Sequence, residues 1–434
     1  MTVEEIYSKF KECGGVTTDS RKCGPGLMFF ALKGERFDGN EFVRGALEQG
    51  CPYAVMDNAG LYDAADSRMI LVDSVLDTLQ KVAAHHRREL GTPVIGITGT
   101  NGKTTTKELT NAVMSAAYNV LCTQGNQNNS IGVPLTVLGL KSEHRYAIVE
   151  MGASHPGDIK ELVEVSQPDY GLITNVGKAH LLGFGSFEGV KRTKGELYDW
   201  LREHNGTAFV NRDNVHLQQM CAGLPLIEYG KPGQEGLLVE GEVLECNPFV
   251  KFRWRSKGGD WHIVQTSLIG AYNVDNALAA ITIGLRFGVS EDKASAAVAG
   301  YVPQNNRSQL TETGRNHLVE DAYNANPTSM AAAIENFSMM KADNKMLILG
   351  DMRELGEVSE AEHRNIVELL KEKGFTKVWL VGSEFAKVAQ ESEFRLFADV
   401  EAVNDALRIE PLNGYSILIK GSNSIGLTKT ITNL

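Results

Sequence analysis

Residues 94–108 constrain the fold of this chain more than any other segment. An apolar run at 94–98 predicts a β-strand, and the glycines at 96, 99 and 102 predict a turn after it. Apolar residues then recur at helical spacing, which predicts a helix, at Leu109, Ala112, Val113 and Ala116. Strand, glycine-rich turn and helix in this order direct backbone N–H groups and a helix N-terminus toward one point, which favours a bound anion.

Residues 99–105, called the cradle below, also carry the side chains that a nucleotide site needs. Lys103 supplies a positive charge, and the Thr104 hydroxyl can reach a Mg²⁺ ion. The spacing differs from that of the usual P-loop, because Ile97 stands where its first glycine would be. Gly-Lys-Thr also occurs by chance in loops, but the strand before it and the helix after it favour a nucleoside triphosphate site. The predicted nucleotide-binding residues are Gly99, Thr100, Asn101, Gly102, Lys103, Thr104 and Thr105.

Composition limits the possible partners and compartment. The net charge of −11, without a basic stripe, argues against nucleic acid. The six cysteines form no CxxC pair, so we expect reduced thiols in a cytosolic protein. The N-terminus lacks the pattern of a signal peptide, and no apolar run approaches the roughly 20 residues that cross a bilayer. We therefore expect a cytoplasmic protein without membrane insertion.

The length of 434 residues predicts about three domains, at a prior of roughly 150 residues each. Residues 1–90 alternate short helix and strand patterns and end before Gly91-Thr92-Pro93, which breaks the chain. Residues 91–308 contain strand candidates separated by helical patterns, then a more β-rich insert with a hairpin turning at Gly258-Gly259. Residues 309–434 repeat strand and helix without a GxGxxG fingerprint. The predicted fold is α/β with three domains: a central P-loop-type, mostly parallel sheet between a small α/β N-terminal domain and a Rossmann-like C-terminal domain.

Polar side chains follow two strands of the predicted central sheet. Glu150 ends one strand candidate, and His180 follows the next. Open α/β sheets place ligands at the carboxyl ends of their strands, so both are candidate site residues. Taken alone, such residues are more often surface groups or satisfied core groups.

Several segments together resemble the Mur ligase family of ATP-dependent amide-forming enzymes. The resemblance spans nearly the whole chain and is carried, besides the cradle, by residues 18–21, 25–40, 125–134, 150–152, 174–181, 321–327 and 349–356. The last two segments are most similar to the members that add D-alanyl-D-alanine to UDP-N-acetylmuramoyl-tripeptide. The resemblance implies an acyl-phosphate mechanism, with ATP and Mg²⁺, at the last cytoplasmic step of peptidoglycan precursor assembly. A monomer that binds these small molecules is expected.

The resemblance also implies roles for individual residues. Ser20 and Arg21 belong to the segment that binds the uridine nucleotide, and Asn40 stands where a histidine is more usual. Asn273 and Asn276 are the implied adenine contacts, although an asparagine at a helix start is often only a cap. The remaining implied contacts are Arg307 on the ATP phosphates, Asp321 near the ribose, and the substrate-binding residues Asn128, Asn129, Asn324 and Asn326.

A second Mg²⁺ site is implied at Glu150 and His180. In this family, the lysine before a Gly-Glu-apolar-aromatic run is carbamylated and supports the metal site, because an ammonium group cannot bind a cation. Its spacing to Tyr198 assigns this role to Lys194 rather than Lys191. The implied metal ligands are Thr104, Glu150, His180 and Lys194, and the implied catalytic set is Lys103, Glu150, His180, Lys194 and Arg307.

The C-terminal segment departs from the family pattern. Asn423 occupies a usual arginine position and Thr428 a usual glutamate position, which affects the implied acceptor contacts. Three alternatives stay open: a sister ligase that adds the third peptide residue, a folylpolyglutamate synthetase-like ligase, and a nucleotide-dependent binding protein without catalysis.

Overall fold

The computed structural model describes residues 1–303 and 309–434. Arg307, predicted to contact ATP phosphates, lies outside the described residues. Within them, the strands form sheets of four, nine and six strands and one two-stranded pair. This is the predicted three-domain α/β fold. The limits 1–90, 91–308 and 309–434 stay predictions, and each large sheet takes its strands from within one of these ranges.

The N-terminal sheet is parallel and has the order β1-β2-β5-β6. Its helix α3 begins at the cap residue Ser74 and ends at Gly91, whose φ of 63° lies in the left-handed region that favours glycine. The elements are α1 (Val3–Phe10), β1 (Gly15–Thr17), β2 (Leu27–Phe30), β3 (Lys33–Gly34), β4 (Phe37–Asp38), α2 (Val43–Glu48), β5 (Ala54–Met56), β6 (Met69–Leu71) and α3 (Val75–Leu90).

The central sheet has the order β15-β14-β13-β12-β11-β10-β7-β9-β8. Its strands are parallel from β8 to β13, and β13, β14 and β15 are antiparallel. The elements are β7 (Val94–Thr98), α4 (Lys103–Ser115), β8 (Val120–Cys122), α5 (Gly132–Leu138), β9 (Tyr146–Glu150), α6 (Asp158–Ser166), β10 (Tyr170–Ile173), α7 (Leu181–Phe184), α8 (Phe187–Glu203), β11 (Thr207–Asn211), α9 (Val215–Met220), β12 (Leu226–Gly230), β13 (Val239–Cys246), β14 (Phe249–Ser256), β15 (His262–Ile269), α10 (Asn273–Arg286) and α11 (Glu291–Gly300).

Both faces of the central sheet are covered. Alternate strand residues point to opposite faces, so Val94 packs with the cluster under α3, α5, α6 and α8, while Ile95 packs with the cluster under α4, α10 and α11. The first cluster also contains Leu79 and Val82 of α3, so the N-terminal domain shares a hydrophobic core with the central domain. A sheet covered on both sides explains why its strands read as continuous apolar runs.

The C-terminal sheet has the order β16-β17-β21-β18-β19-β20 and is parallel except for the edge strand β16. Helices α12, α13 and α14 cover one face, and α15 covers the other. The elements are β16 (Gln309–Glu312), β17 (His317–Asp321), α12 (Pro327–Met339), β18 (Lys345–Gly350), α13 (Ser359–Glu372), β19 (Val378–Val381), α14 (Ser383–Val388), β20 (Arg395–Phe397), α15 (Val400–Ile409) and β21 (Ser416–Lys420).

The predicted β-rich insert is confirmed, since β13, β14 and β15 extend the central sheet by edge pairing. One local prediction differs from the structure. Helix α4 ends at Ser115, so Ala116 is an exposed cap rather than part of the buried face. The predicted hairpin between β14 and β15 is confirmed. In the described parts of the chain, no helix has the length and apolar character needed to span a bilayer.

The contact between α4 and α10 generates a stability prediction. A β-carbon on Gly284 would lie 2.3 Å from Cγ1 of Val113, a stiff β-branched side chain. We expect Gly284→Ala to destabilise the protein by about 1–3 kcal/mol through overpacking, measured by urea unfolding. In the control Gly195→Ala, the new carbon lies 3.6 Å from Met220, so this change in α8 should stabilise by about 0.5–1 kcal/mol. Equal effects of the two substitutions would contradict the overpacking argument.

Candidate active site

A large cleft lies where the carboxyl ends of β7, β9 and β10 face the C-terminal domain, and it has a volume of about 840 Å³. This central cleft contains most of the predicted site residues. From the central domain it is lined by Thr100, Asn101, Gly102, Lys103, Thr104, Thr105, Asn128, Asn129, Glu150, His180, Asn273 and Asn276, and from the C-terminal domain by Asp321, Asn324 and Asn326.

The cradle turn requires glycine at its first position. Gly99 has a φ of 142°, and a β-carbon there would lie 2.0 Å from the Thr174 hydroxyl oxygen. The backbone at Gly99 therefore lies so close to the end of β10 that only glycine, which has no β-carbon, fits at this position.

Two residues at the end of β10 fix the cradle. The backbone N–H of Thr100 donates to the Asn175 carbonyl (2.9 Å), and that of Asn101 donates to the Asn175 side-chain oxygen (3.0 Å). The Thr174 hydroxyl donates to the Asn101 carbonyl (2.6 Å). These bonds fix the conformation of the turn.

Lys103 closes the cradle from the first position of α4. Its Nζ donates to the carbonyls of Gly99 (2.7 Å) and Thr100 (2.9 Å). The ammonium thus lies over the turn at the positive end of the helix dipole, where an anionic phosphate is favoured.

The predicted adenine contacts lie directly behind the cradle. Asn276 accepts a hydrogen bond from Thr106 of α4 (3.0 Å) and donates to Asn273 (2.8 Å). Its side-chain oxygen lies 2.7 Å from where a β-carbon of Gly102 would be. The start of α10 is therefore packed against the cradle.

Glu150 places a buried carboxylate opposite the cradle. Only 1% of the residue is exposed. Its Oε1 accepts hydrogen bonds from the Thr104 hydroxyl (3.1 Å) and from the Asn128 amide (2.8 Å). Its Oε2 is buried without a hydrogen-bond partner, and a buried unpaired carboxylate oxygen is costly unless a cation neutralises it.

These donors suit Mg²⁺. The described part of the chain contains no cluster of three or more His, Cys, Asp or Glu residues that could hold an ion by itself. Mg²⁺ prefers one or two carboxylates together with substrate phosphates and water rather than an all-protein cage. A hydroxyl, the orphaned oxygen of Glu150 and a nearby phosphate cradle match that preference.

His180 lies across the cleft, at the start of α7. Burial lowers the pKa of its imidazole, whereas the neighbouring Glu354 carboxylate acts in the opposite direction. A neutral imidazole is the form that binds a metal ion. The ring lies edge-on to Phe184, with a centroid separation of 6.2 Å.

Lys194 lies on α8 behind the cleft wall rather than on the lining itself. Only 2% of the residue is exposed, and its Nζ lies 5.6 Å from the centre of the Phe184 ring. Burial lowers its pKa well below the usual value, and the positive charge of Lys103 lowers it further. Lys191 differs, because it forms an ion pair with Glu188 (3.3 Å) near the surface.

The C-terminal domain closes the remaining side of the cleft. The side chain of Asn326 caps α12 and donates to the Asn101 side chain of the cradle (2.8 Å). The buried ammonium of Lys420 forms an ion pair with Asp321 (2.6 Å) and donates to the Asn324 carbonyl (3.3 Å). The predicted ribose residue Asp321 and the predicted substrate residue Asn324 therefore share the ammonium group of Lys420.

Some predicted residues lie elsewhere. Ser20 and Arg21 do not line the central cleft, and Arg21 forms an exposed ion pair with Asp19 (2.8 Å). Asn423 and Thr428 line a second cavity of about 330 Å³ in the C-terminal domain.

The structure adds residues to which the sequence assigns no role. Thr174 and Asn175 fix the cradle, and the Thr123 hydroxyl accepts the backbone N–H of Glu150 (3.0 Å). Lys420 holds Asp321. Thr174 and Asn175 begin segment 174–181, which carries the family resemblance, whereas Thr123 and Lys420 stand at strand ends, a place that many residues share.

Comparison with known families gives three matches along the chain. Residues 12–87 match the Mur ligase family catalytic domain, residues 97–284 the Mur ligase middle domain, and residues 306–423 the Mur ligase glutamate ligase domain.

Curated relatives match over nearly their whole length. A UDP-N-acetylmuramoyl-tripeptide--D-alanyl-D-alanine ligase of Bacillus subtilis is 33% identical over 97% of this chain and 93% of the relative. The enzyme of the same name from Escherichia coli is 34% identical over 96% of this chain and 92% of the relative.

Solved structures agree with this assignment. A crystal structure of MurF from Acinetobacter baumannii has a TM-score of 0.88 at 28% identity and covers 100% of this chain and 98% of that chain. The MurF ligase from Thermotoga maritima in complex with ADP has a TM-score of 0.86 at 26% identity, with 98% and 97% covered. The three domain matches and the full-length relatives show that the chain belongs to the Mur ligase family.

Proposed function

We propose that this chain is an ATP-dependent ligase that joins D-alanyl-D-alanine to UDP-N-acetylmuramoyl-tripeptide by forming a C–N bond. The observation that carries the proposal is the central cleft, where a phosphate-binding turn, a buried carboxylate and polar groups of a second domain face one another. The names of the full-length relatives support the choice of substrates.

The chemical obstacle is that a carboxylate does not react with an amine in water. In the proposed reaction, a carboxylate oxygen of the tripeptide attacks the γ-phosphorus of ATP and ADP leaves, which gives an acyl phosphate. The amine of D-alanyl-D-alanine then attacks the acyl carbon, loses a proton and releases inorganic phosphate. The first step brings two anions together, so positive charge and exact placement must supply most of the catalysis.

The residues of the cleft fit these demands. Lys103 and the N–H groups of the cradle bind the ATP phosphates, and the fixed turn spares the enzyme reorganisation during the reaction. Thr104 would hold one Mg²⁺ ion, and Glu150 and His180 would hold a second. When bound, Mg²⁺ neutralises charge that develops on the transferring phosphoryl group.

Lys194 deepens this proposal. Burial lowers the pKa of Lys194 and so raises the fraction of neutral amine, which is the form that reacts with carbon dioxide. The product is a carbamate, whose anionic oxygens would place negative charge near His180. We propose that Lys194 is carbamylated and supports the metal site.

We further propose the cellular setting of this activity. The chain acts as a cytoplasmic monomer on small-molecule substrates at the last cytoplasmic step of peptidoglycan precursor assembly, without nucleic acid partners or membrane insertion. The N-terminal domain, with Ser20 and Arg21, binds the uridine nucleotide, and Arg307 contacts the ATP phosphates. The domains extend over 1–90, 91–308 and 309–434.

An acceptor panel tests the reaction. Purified protein with ATP and UDP-N-acetylmuramoyl-tripeptide, ending in either lysine or meso-diaminopimelate, should release phosphate with D-alanyl-D-alanine. It should release none with a free diamino acid or glutamate as acceptor. Mass spectrometry should then detect the pentapeptide product.

Turnover with a diamino acid would favour the sister ligase, and turnover with glutamate would favour the folylpolyglutamate synthetase-like enzyme. Nucleotide binding without any product would favour the non-catalytic protein.

Removal of the cradle lysine tests the electrostatic part. We expect Lys103→Ala to lower the rate of phosphate release at least about a hundredfold, because the substitution removes the positive charge that stabilises the transferring phosphoryl group. It should also weaken ADP binding in calorimetry. The exposed Lys141 provides the control Lys141→Ala, which should change neither quantity. A Lys103→Ala enzyme that forms pentapeptide at the wild-type rate would remove the basis of the mechanism.

Carbamylation of Lys194 has its own test. Lys194→Ala should lose activity at least about tenfold and regain part of it with formate or acetate. In protein equilibrated with ¹³C-bicarbonate, NMR should show a carbamate carbon that is absent from Lys194→Ala. The matched control Lys191→Ala should keep both the activity and the signal. A signal that persists in Lys194→Ala would place the modification elsewhere.

A further inference from the structure

A contact between two domains reaches His180 from outside the cleft. The carboxylate of Glu354, in the connection between β18 and α13, forms an ion pair with Nδ1 of His180. Glu354 belongs to the C-terminal domain and His180 to the central domain. The side chain that faces the predicted cation is therefore contacted by a domain that supplies none of the predicted metal ligands.

The backbone fixes the same pair. The backbone N–H of Leu182 donates to the carbonyl of Glu354 (3.1 Å). The main chain of Glu354 is therefore hydrogen-bonded to the chain two residues after His180. His180 (φ 49°) and Glu354 (φ 64°) both adopt left-handed backbone conformations, which residues with a β-carbon rarely do. Such conformations persist only where surrounding contacts enforce them, and they concentrate at functional sites.

The chemistry of imidazole gives this contact a direction. The ring has two nitrogens, and the partner of one decides which nitrogen is available for a metal. With the Glu354 carboxylate at Nδ1, Nε2 is the nitrogen left for a cation. A carboxylate on the far nitrogen of a metal-binding histidine fixes the ring orientation and raises its basicity.

The present geometry is close to that arrangement. Nδ1 of His180 lies within ion-pair distance of Glu354 but is not aligned as a hydrogen bond. A small rotation of the ring or of the carboxylate completes the bond. Because the Glu354 side chain is 57% exposed, it has room for this adjustment.

We propose that Glu354 is a positioning residue that orients His180, through Nδ1, toward a divalent cation in the central cleft. The cation site is then completed only when the C-terminal domain is docked, which couples domain position to metal binding. This inference rests on the proposed function, since it assumes a cation at Glu150 and His180.

A second cross-domain contact offers a matched control. Lys178 forms an ion pair with Glu362 of α13 (2.7 Å), only two positions before His180. Neither residue lines the central cleft. If Glu354 served only to dock the domains, loss of the Glu362 carboxylate would have the same consequences as loss of the Glu354 carboxylate.

The test compares Glu354→Ala, Glu354→Gln and Glu362→Gln in the full-length protein. Mn²⁺ binding is measured by electron paramagnetic resonance in the presence of ADP. We expect Glu354→Ala to weaken Mn²⁺ binding about ten- to hundredfold. Glu354→Gln should lose less, because its side-chain oxygen still accepts a hydrogen bond from Nδ1. Glu362→Gln should stay within about twofold of the wild type.

Two further measurements separate positioning from general damage. The Mg²⁺ concentration for half-maximal turnover should rise in Glu354→Ala, while the KM for D-alanyl-D-alanine stays unchanged. When His180→Ala is already present, adding Glu354→Ala should cause no further loss of Mn²⁺ affinity.

The inference is overturned if Glu354→Ala binds Mn²⁺ like the wild type, or if Glu362→Gln weakens binding equally. The Mn²⁺ measurements are interpreted only if the wild-type enzyme is active in the acceptor panel. Failure of that panel would instead overturn the proposed function, so the two failures are distinguishable.

Discussion

The close approach of the cradle to the end of β10 is the constraint on which the site depends. Gly99 adopts a conformation that places its α-carbon against Thr174, and Asn175 bonds the next two backbone N–H groups. The N-terminus of α4 is thereby fixed relative to two strands of a buried sheet. An anion-binding site gains from this rigidity because donors that are already oriented need no rearrangement when charge develops.

The cleft concentrates buried charge that the fold alone does not neutralise. Glu150 has one satisfied and one orphaned carboxylate oxygen, and Lys194 is almost fully buried beside an aromatic ring. Isolated buried charges cost several kcal/mol. The cation that we propose at Glu150 and the carbamate that we propose at Lys194 would offset this cost together, because their charges are opposite.

The C-terminal domain reaches the cleft through specific polar contacts. Asn326 bonds the cradle residue Asn101, and Glu354 contacts His180. Both contacts are polar and join residues of different domains. Polar contacts of this kind exchange readily with water, so they are compatible with movement of the C-terminal domain.

Much of this protein is determined by the sequence itself. The order of strand, glycines, lysine and helix at residues 94–108 specifies the cradle because each element depends on local chemistry: apolar periodicity, positive φ and the helix N-terminus. The hairpin at Gly258-Gly259 and the strand at 416–420 follow from equally local patterns.

Only the tertiary structure decided which distant side chains meet. Burial distinguishes Lys194 from Lys191. The contacts of Thr174 with the cradle, of Lys420 with Asp321 and of Glu354 with His180 each join segments that are distant in the sequence. Local propensity cannot encode these pairings, because they arise from the packing of whole sheets and domains.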